Sequence, residues 1–265
     1  MIKKYYVIGN PINHSLSPKL HNFWFEQNNI RATYEKIKIN NDNLQSIISE
    51  IKEKKINGVN VTVPFKKAVI PYLDELSFEA EQTQSVNTII LHNDNLVGHN
   101  TDIVGFTKAI KNLNFKIEGK KVFILGAGGV VPSIIFALKK MNVSKIIVSN
   151  RTKKKAEDLT LRFHNLEILD WGKIADFDMI INATSLGLNK ETINLDFSQS
   201  GNNKLYYDVI YNPVVTNFLK EAKKLGNKTE NGKLMFVYQA FEAFKLWHGI
   251  EPKINSDTLE ILNND

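Results

Sequence analysis

Lys121 to Leu125 is an apolar run that passes into Gly126-Ala127-Gly128-Gly129 and then into Val130-Val131-Pro132. This order predicts a buried strand, a tight turn and a helix that opens near a first-turn proline. Amides at such a helix start attract a pyrophosphate. One β-unit later, the strand Lys145 to Ser149 delivers Asn150-Arg151-Thr152. A carboxylate there would accept from the ribose 2′-hydroxyl of NAD, whereas a guanidinium suits the 2′-phosphate of NADP. The glycines alone fit an ordinary strand-to-helix turn equally well. Val131 stands at the third small position of the fingerprint and predicts slightly looser helix-to-strand packing, so the arginine carries the NADP reading.

Three further segments set polar groups beside strand ends or helix starts. In Asn60-Val61-Thr62-Val63-Pro64-Phe65-Lys66, alternation puts Asn60 and Thr62 on one face and Val59, Val61 and Val63 on the other. Pro64 stops the strand and leaves Lys66 beyond its carboxyl end, where open α/β sheets hold their ligands. Taken alone, the segment reads first as a solvent-facing edge strand with a surface lysine. Gly98-His99-Asn100-Thr101-Asp102 brings a carboxylate to a helix start, a place aspartate also takes simply as a cap. In His14-Ser15-Leu16-Ser17-Pro18, Ser17 fits an N-cap before proline at N1, while Ser15 has no such local reason.

The elements that must position these groups alternate between strand and helix. Before residue 100 the pattern predicts strands at 5–9, 33–39 and 58–63, helices at 18–27 and 42–54, and a hairpin of 86–92 with 96–99 around Asn93-Asp94-Asn95. A helix at 103–113 then leads to Asn114 to Gly119, read as a hinge. Strands follow at 145–149, 179–183 and 205–210, separated by helical stretches. Leu234 to Trp247 is a helix apolar on most of its surface, hence buried, and the chain after it is expected to return to the first domain. The fold class is therefore α/β, with alternating elements arguing for mostly parallel sheets.

Composition narrows the function classes. The 34 Lys and Arg against 28 Asp and Glu give a net charge of +6 spread along the chain, which suits an anionic substrate and a phosphorylated cofactor and does not prompt a nucleic-acid partner. There is no cysteine, which excludes disulfides, thiolate nucleophiles and cysteine zinc sites, and no metal site is expected. Neither a leader nor a run of membrane-spanning length is read, so the expectation is a cytoplasmic protein with no membrane partner.

Over essentially its full length the chain resembles the shikimate dehydrogenase family. The resemblance rests on Gly9 to Asn22, Asn60 to Lys66, Ser85-Val86-Asn87-Thr88, Gly98 to Gly105, Gly126 to Gly129, Asn150-Arg151-Thr152, Asn182 to Gly187, Asp208 to Pro213, and Gly232 to Gln239. It departs from the family at Val130-Val131-Pro132, where small residues are usual, and at Ser85, where alanine is commoner.

The resemblance implies two α/β domains with a cleft between them. Residues 1–102 plus 237–265 would form a mostly parallel substrate domain, and residues 103–236 a Rossmann-type NADP domain. It implies reversible NADPH-dependent reduction of 3-dehydroshikimate to shikimate, a step toward chorismate and the aromatic amino acids. Lys66 would be the general acid/base and Asp102 its partner. Ser15, Ser17, Asn60, Thr62, Lys66, Asn87, Asp102, Tyr211 and Gln239 would surround the substrate. Gly126, Ala127, Gly128, Gly129, Val130, Asn150, Arg151, Thr152, Lys155, Thr184, Val209 and Gly232 would lie along NADP. A monomer or homodimer is expected. The rivals are a quinate/shikimate dehydrogenase using NAD, disfavoured by Arg151 and the serine pair, a non-catalytic shikimate-binding homologue, and a nucleic-acid-binding module.

Overall fold

A computed structural model describes residues 2–189 and 191–263. The chain forms two compact units, residues 1–105 with 237–265 and residues 106–236. Residue 1 and residues 264–265, expected in the first domain, lie outside the described residues.

The first unit begins with β1 (Lys3–Gly9), α1 (Ser17–Gln27), β2 (Ala32–Lys38), α2 (Asn41–Lys52) and β3 (Gly58–Val61). It continues with β4 (Glu75–Leu76), α3 (Phe78–Thr83), β5 (Thr88–His92), β6 (Asn95–His99) and the start of α4 (Asp102–Asn112). Its sheet runs β2-β1-β3-β5-β6-β4, and only β5 opposes the other strands. The hairpin turns on Asn93 and Asp94, at φ 48° and 61°, the left-handed pair that a two-residue turn needs to match strand twist. Leu44, Ile48 and Ile51 of α2 share one helical face and pack with Ile8, Val59, Val61 and Ile89 into a core.

The second unit holds β7 (Lys121–Leu125), α5 (Val131–Lys140), β8 (Lys145–Ser149), α6 (Lys153–Thr160) and β9 (Leu166–Leu169). Then come β10 (Met179–Asn182), β11 (Leu205–Asp208), α7 (Asn217–Lys224) and β12 (Lys228–Glu230). The sheet is parallel throughout, in the order β12-β11-β10-β7-β8-β9. Val122 to Leu125 and Met179 to Ile181 are buried at every position, as a sheet covered on both faces requires. From β7 the chain winds first toward β8 and β9 and then back toward β10, so a topological switch point lies between β7 and β10.

The chain closes with α8 (Lys233–His248) and α9 (Ser256–Glu260). Both crossings between units fall inside helices, within α4 after Gly105 and within α8 after Phe236. Asn114 to Gly119, read from sequence as a hinge, instead lies inside the second unit. The apolar stripe of α4 explains why. Phe106 already stacks edge-on against Tyr207 of β11 at 5.5 Å, so the second unit captures the helix before it ends.

The other face of the first sheet is covered by an aromatic cluster. Tyr5, His21, Trp24, Phe25 and Tyr34 meet Phe244, Trp247 and His248 of α8, which ties the returning C-terminal segment to β1, α1 and β2. His21 is fully buried, stacked on Tyr34 at 4.3 Å and 3°, and neither ring nitrogen has a hydrogen-bond partner among the described residues. Desolvation holds its pKa down to about 3, and that of His248 down to about 4. Both values lie below that of a free imidazole, so the unfolded chain takes up protons first and stability is lost as pH falls from about 6.5 toward these values. Going from pH 7 to pH 5 should cost about 2 kcal/mol at His21, and less at the partly exposed His248, where solvent screens the charge. His21→Phe should remove its share, read as a shallower pH dependence of the urea midpoint by tryptophan fluorescence. An unchanged slope would count against this account.

Candidate active site

Strand pairing gathers the polar segments at one edge of the first sheet. Ile8 pairs with Val61 and Asn60 with Thr88, while Thr88 pairs with His99. The carboxyl ends of β1, β3 and β6 and the start of antiparallel β5 therefore lie side by side. The segments that follow or precede them carry Ser15 and Ser17, Thr62 and Lys66, Asp102, and Asn87. β3 is an interior strand between β1 and β5, and Lys66 is only 8% exposed. The edge-strand reading of this segment is thus overturned.

Lys66 Nζ donates to Asp102 Oδ2 in a buried pair. Asp102 is the first residue of α4, and its other oxygen accepts from Asn87 Nδ2 at 3.0 Å, so the carboxylate faces the pair and does not cap the helix. Asn87 Oδ1 accepts from the Thr101 amide at 2.7 Å, and its Nδ2 also donates to Thr101 Oγ1 at 2.9 Å. Asn60 is engaged in the same way, with Nδ2 donating to Asn87 O and Thr88 Oγ1 and Oδ1 accepting from Tyr34 Oη at 2.6 Å. Both asparagines thus brace the pair and have no amide hydrogen left for a ligand. Sequence reasoning missed the braces Tyr34, Thr88 and Thr101, since nothing local marks a tyrosine or threonine as reaching a distant amide.

The free donors are elsewhere. The side chains of Ser17 and Thr62 make no hydrogen bond among the described residues, and Lys66 keeps two ammonium hydrogens beyond its bond to Asp102. Ser17 is the first residue of α1, after Leu16 as N-cap, so it is not the cap expected from sequence. Ser15 takes the local role instead, its Oγ accepting from the Ser17 amide at 3.3 Å. Val63 also departs from expectation. Regular pairing stops at Val61, the following turn is closed by Phe65 N donating to Thr62 O, and Val63 is 52% exposed rather than sharing the apolar face. Gln239 is half-buried on the first-unit part of α8, whereas Tyr211 belongs to the second unit, stacked on Phe236 at 4.5 Å.

In the second unit the glycine turn sits at the carboxyl end of β7. Gly126 has φ +111°, and a Cβ there would fall 2.8 Å from Ala183 O, so the fold itself requires glycine. Gly128 differs, because a Cβ would meet nothing nearer than Ala183 O at 3.9 Å. The exposed space over Gly128, at the start of a helix whose N-cap Val130 offers no side-chain acceptor, fits a phosphate group against the backbone. Val131 is fully buried as the first residue of α5. Beyond β8, Lys153 and Lys154 are paired with Asp170 and Asp158, while Arg151 and Lys155 are exposed and have no carboxylate partner among the described residues. Asn150 Nδ2 bridges to Thr152 O at 2.8 Å and shapes that loop. Thr184 and Val209 open the loops after β10 and β11, and the Gly232 amide donates to Ile210 O.

A doubly wound parallel sheet with a glycine turn and unpaired cations after its second strand, joined in one chain to a sheet that buries an ammonium beside a carboxylate, defines a two-unit α/β oxidoreductase of the dinucleotide-binding class. Family models agree. That of the shikimate dehydrogenase substrate binding domain matches residues 7–89, that of shikimate/quinate 5-dehydrogenase residues 107–204, and that of the shikimate 5′-dehydrogenase C-terminal domain residues 234–255. The shikimate dehydrogenase (NADP(+)) of Pelagibacter ubique is 53% identical over 99% of this chain and 100% of its own length. The Aquifex aeolicus shikimate dehydrogenase crystal structure superposes with a TM-score of 0.91 at 36% identity, over 100% of this chain and 98% of that one. The Thermus thermophilus enzyme in complex with NADP(H) and shikimate gives 0.89 at 32%, over 99% of each chain. The chain belongs to the shikimate dehydrogenase family.

The contrast between the two glycines yields a test. Gly128→Ala should leave thermal stability unchanged while raising the Kd for NADPH by roughly tenfold or more, because the added methyl occupies only ligand space. Gly126→Ala should lower the melting temperature as well. If Gly128→Ala bound NADPH normally, the open space would not be a phosphate cradle.

Proposed function

We propose that the chain catalyses the reversible NADPH-dependent reduction of 3-dehydroshikimate to shikimate, with the first unit binding the substrate and the second the cofactor. The observation that carries this reading is the Lys66 ammonium. It is buried, it is held on one side by a braced carboxylate, and among the described residues it keeps two hydrogens without an acceptor, just as the hydroxyls of Ser17 and Thr62 make no hydrogen bond. The names of the relatives, NADP(+)-dependent shikimate dehydrogenases, support the same substrate and cofactor.

NADPH, when bound, supplies the hydride to the ketone carbon. As the carbonyl oxygen gains charge, Lys66 donates a proton to it, and Asp102 holds the ammonium in place and balances its charge. In the oxidative direction neutral Lys66 accepts the proton from the ring hydroxyl. Ser15 and Ser17 donate to the substrate carboxylate without adding a second buried cation. Thr62 and Gln239 contact ring hydroxyls, and Asn60 and Asn87 act from behind by fixing Thr88, Thr101 and Asp102.

On the cofactor side, Arg151 and Lys155 take the 2′-phosphate and the Gly126–Val130 turn takes the pyrophosphate. The adenosine half then lies over β8, so the nicotinamide half crosses β7 toward the ends of β10 and β11, where Thr184, Val209 and Gly232 stand.

The direct assay is NADPH absorbance loss with 3-dehydroshikimate, with NADH and quinate as controls. Inactivity with 3-dehydroshikimate in a folded protein would favour a binding-only homologue. Lys66→Ala should cut turnover by roughly 10²-fold or more with the fold intact by circular dichroism. Near-normal turnover would remove Lys66 from the chemistry. Arg151→Ala should weaken NADP binding far more than NAD binding, since only NADP carries the 2′-phosphate, and equal losses would refute the assignment.

A further inference from the structure

Asp208, the last residue of β11, is fully buried, and its carboxylate has no cationic partner among the described residues. Three donors hold it: Asn182 Nδ2 at 3.0 Å, the Ile210 amide at 3.0 Å and Thr216 Oγ1 at 2.6 Å. Asn182 is its in-register neighbour at the end of β10. That asparagine carries the next loop. Its Oδ1 accepts from Thr184 N at 3.0 Å and Thr184 Oγ1 at 2.7 Å, and its Nδ2 donates also to Leu186 O at 3.1 Å. Thr184 Oγ1 in turn accepts from Leu186 N. Thr216 closes the other side as the N-cap of α7.

One buried carboxylate therefore tethers the loop after β10 and the loop from β11 to α7. The first of these packs its Ala183 carbonyl under Gly126, and the second presents Val209 so closely to Gly232 that a Cβ there would fall 2.1 Å from Val209 O. These surfaces are the ones onto which the nicotinamide half is directed. Without a cation, desolvation pushes the Asp208 carboxyl up to about 6 despite its three donors, so the group is costly to bury. A purely structural strand end could be closed by an apolar side chain instead.

We infer that Asp208, acting through Asn182 and Thr216, is a positioning residue for hydride transfer, setting the two loops that shape the nicotinamide end of the cofactor site. The inference rests on the NADP reading above. The test compares Thr216→Val, Thr216→Ser and Asp208→Asn with the unaltered chain in NADPH kinetics, and measures the affinity of each for 2′,5′-ADP, which carries only the adenosine and phosphates of the remote half. Thr216→Val should lower kcat by roughly tenfold, as loss of a buried bond to a charged group does, with 2′,5′-ADP affinity unchanged. Thr216→Ser, which restores the hydroxyl, should recover activity. Asp208→Asn, which can still accept from Asn182 and Ile210 and can donate to Thr216, should lose less than Thr216→Val. Unaltered kinetics in Thr216→Val would overturn the inference alone, as would a parallel loss of 2′,5′-ADP affinity, which marks general damage to the unit. If the unaltered chain bound neither 2′,5′-ADP nor NADPH, the cofactor reading itself would fall and the inference with it.

Discussion

Burying an ammonium and a carboxylate together is tolerable only when their remaining lone pairs and hydrogens are matched, because each ion gives up several kcal/mol of hydration. The Lys66–Asp102 pair imposes that condition on the whole edge of the first sheet. Asn87 directs one amide hydrogen to Asp102, Thr101 holds Asn87, and Asn60 bridges Asn87 to Tyr34. The braces come from β2, from β3, from the start of β5 and from the segment between β6 and α4, so the site exists only when these strands are in register. What the web leaves unmatched among the described residues is the part available for chemistry, namely two hydrogens on Lys66 and the hydroxyls of Ser17 and Thr62.

The second unit solves a similar problem without a cation. Asp208 relies on three neutral donors, and burial raises its carboxyl pKa, the direction expected when hydrogen bonds offset desolvation incompletely. The difference follows from what each carboxylate serves. Asp102 faces a lysine that, in the mechanism proposed above, exchanges a proton with the substrate. Asp208 faces backbone and hydroxyls, and fixes loops. Both stand at or just beyond the carboxyl end of a strand, where open α/β sheets place their ligands.

Much of this was legible in the sequence, and the limits are physical. Apolar runs and glycine turns report local periodicity, so β7, β8 and β10, the hairpin at Asn93-Asp94 and the long helix α8 could be read within a few residues. The short strands β4, β9 and β12 could not, because their two to four residues are exposed or half-buried and lack the continuous buried run that marks the equally short β10. Lys66 and Asp102 were identifiable as residues, yet each alone had a commoner structural reading that only strand order removed. Ser15 and Ser17 exchanged their expected local roles because α1 starts one residue earlier than the proline rule suggests. The bracing by Asn60 and Asn87 was not legible, since a sequence shows an amide's capacity and not the partners it uses.

Charge gives the same lesson on the cofactor side. A net charge of +6 says little about where an anion would bind, because several surface lysines near strand ends are cancelled locally. Lys120 and Lys121 face Asp178 and Asp176, Lys145 faces Glu167, and in the run after β8 both Lys153 and Lys154 are paired. Such exposed pairs add little stability and are screened by salt. Their effect here is subtractive: among the described residues they leave Arg151 and Lys155 as the cations of that segment without a carboxylate partner. A planar guanidinium with five fixed donors, next to a loop shaped by Asn150, is then matched to a phosphate by geometry as well as sign. The proposed selectivity for a 2′-phosphate thus rests on which cations lack a neighbour, a property of the folded surface that total charge does not contain.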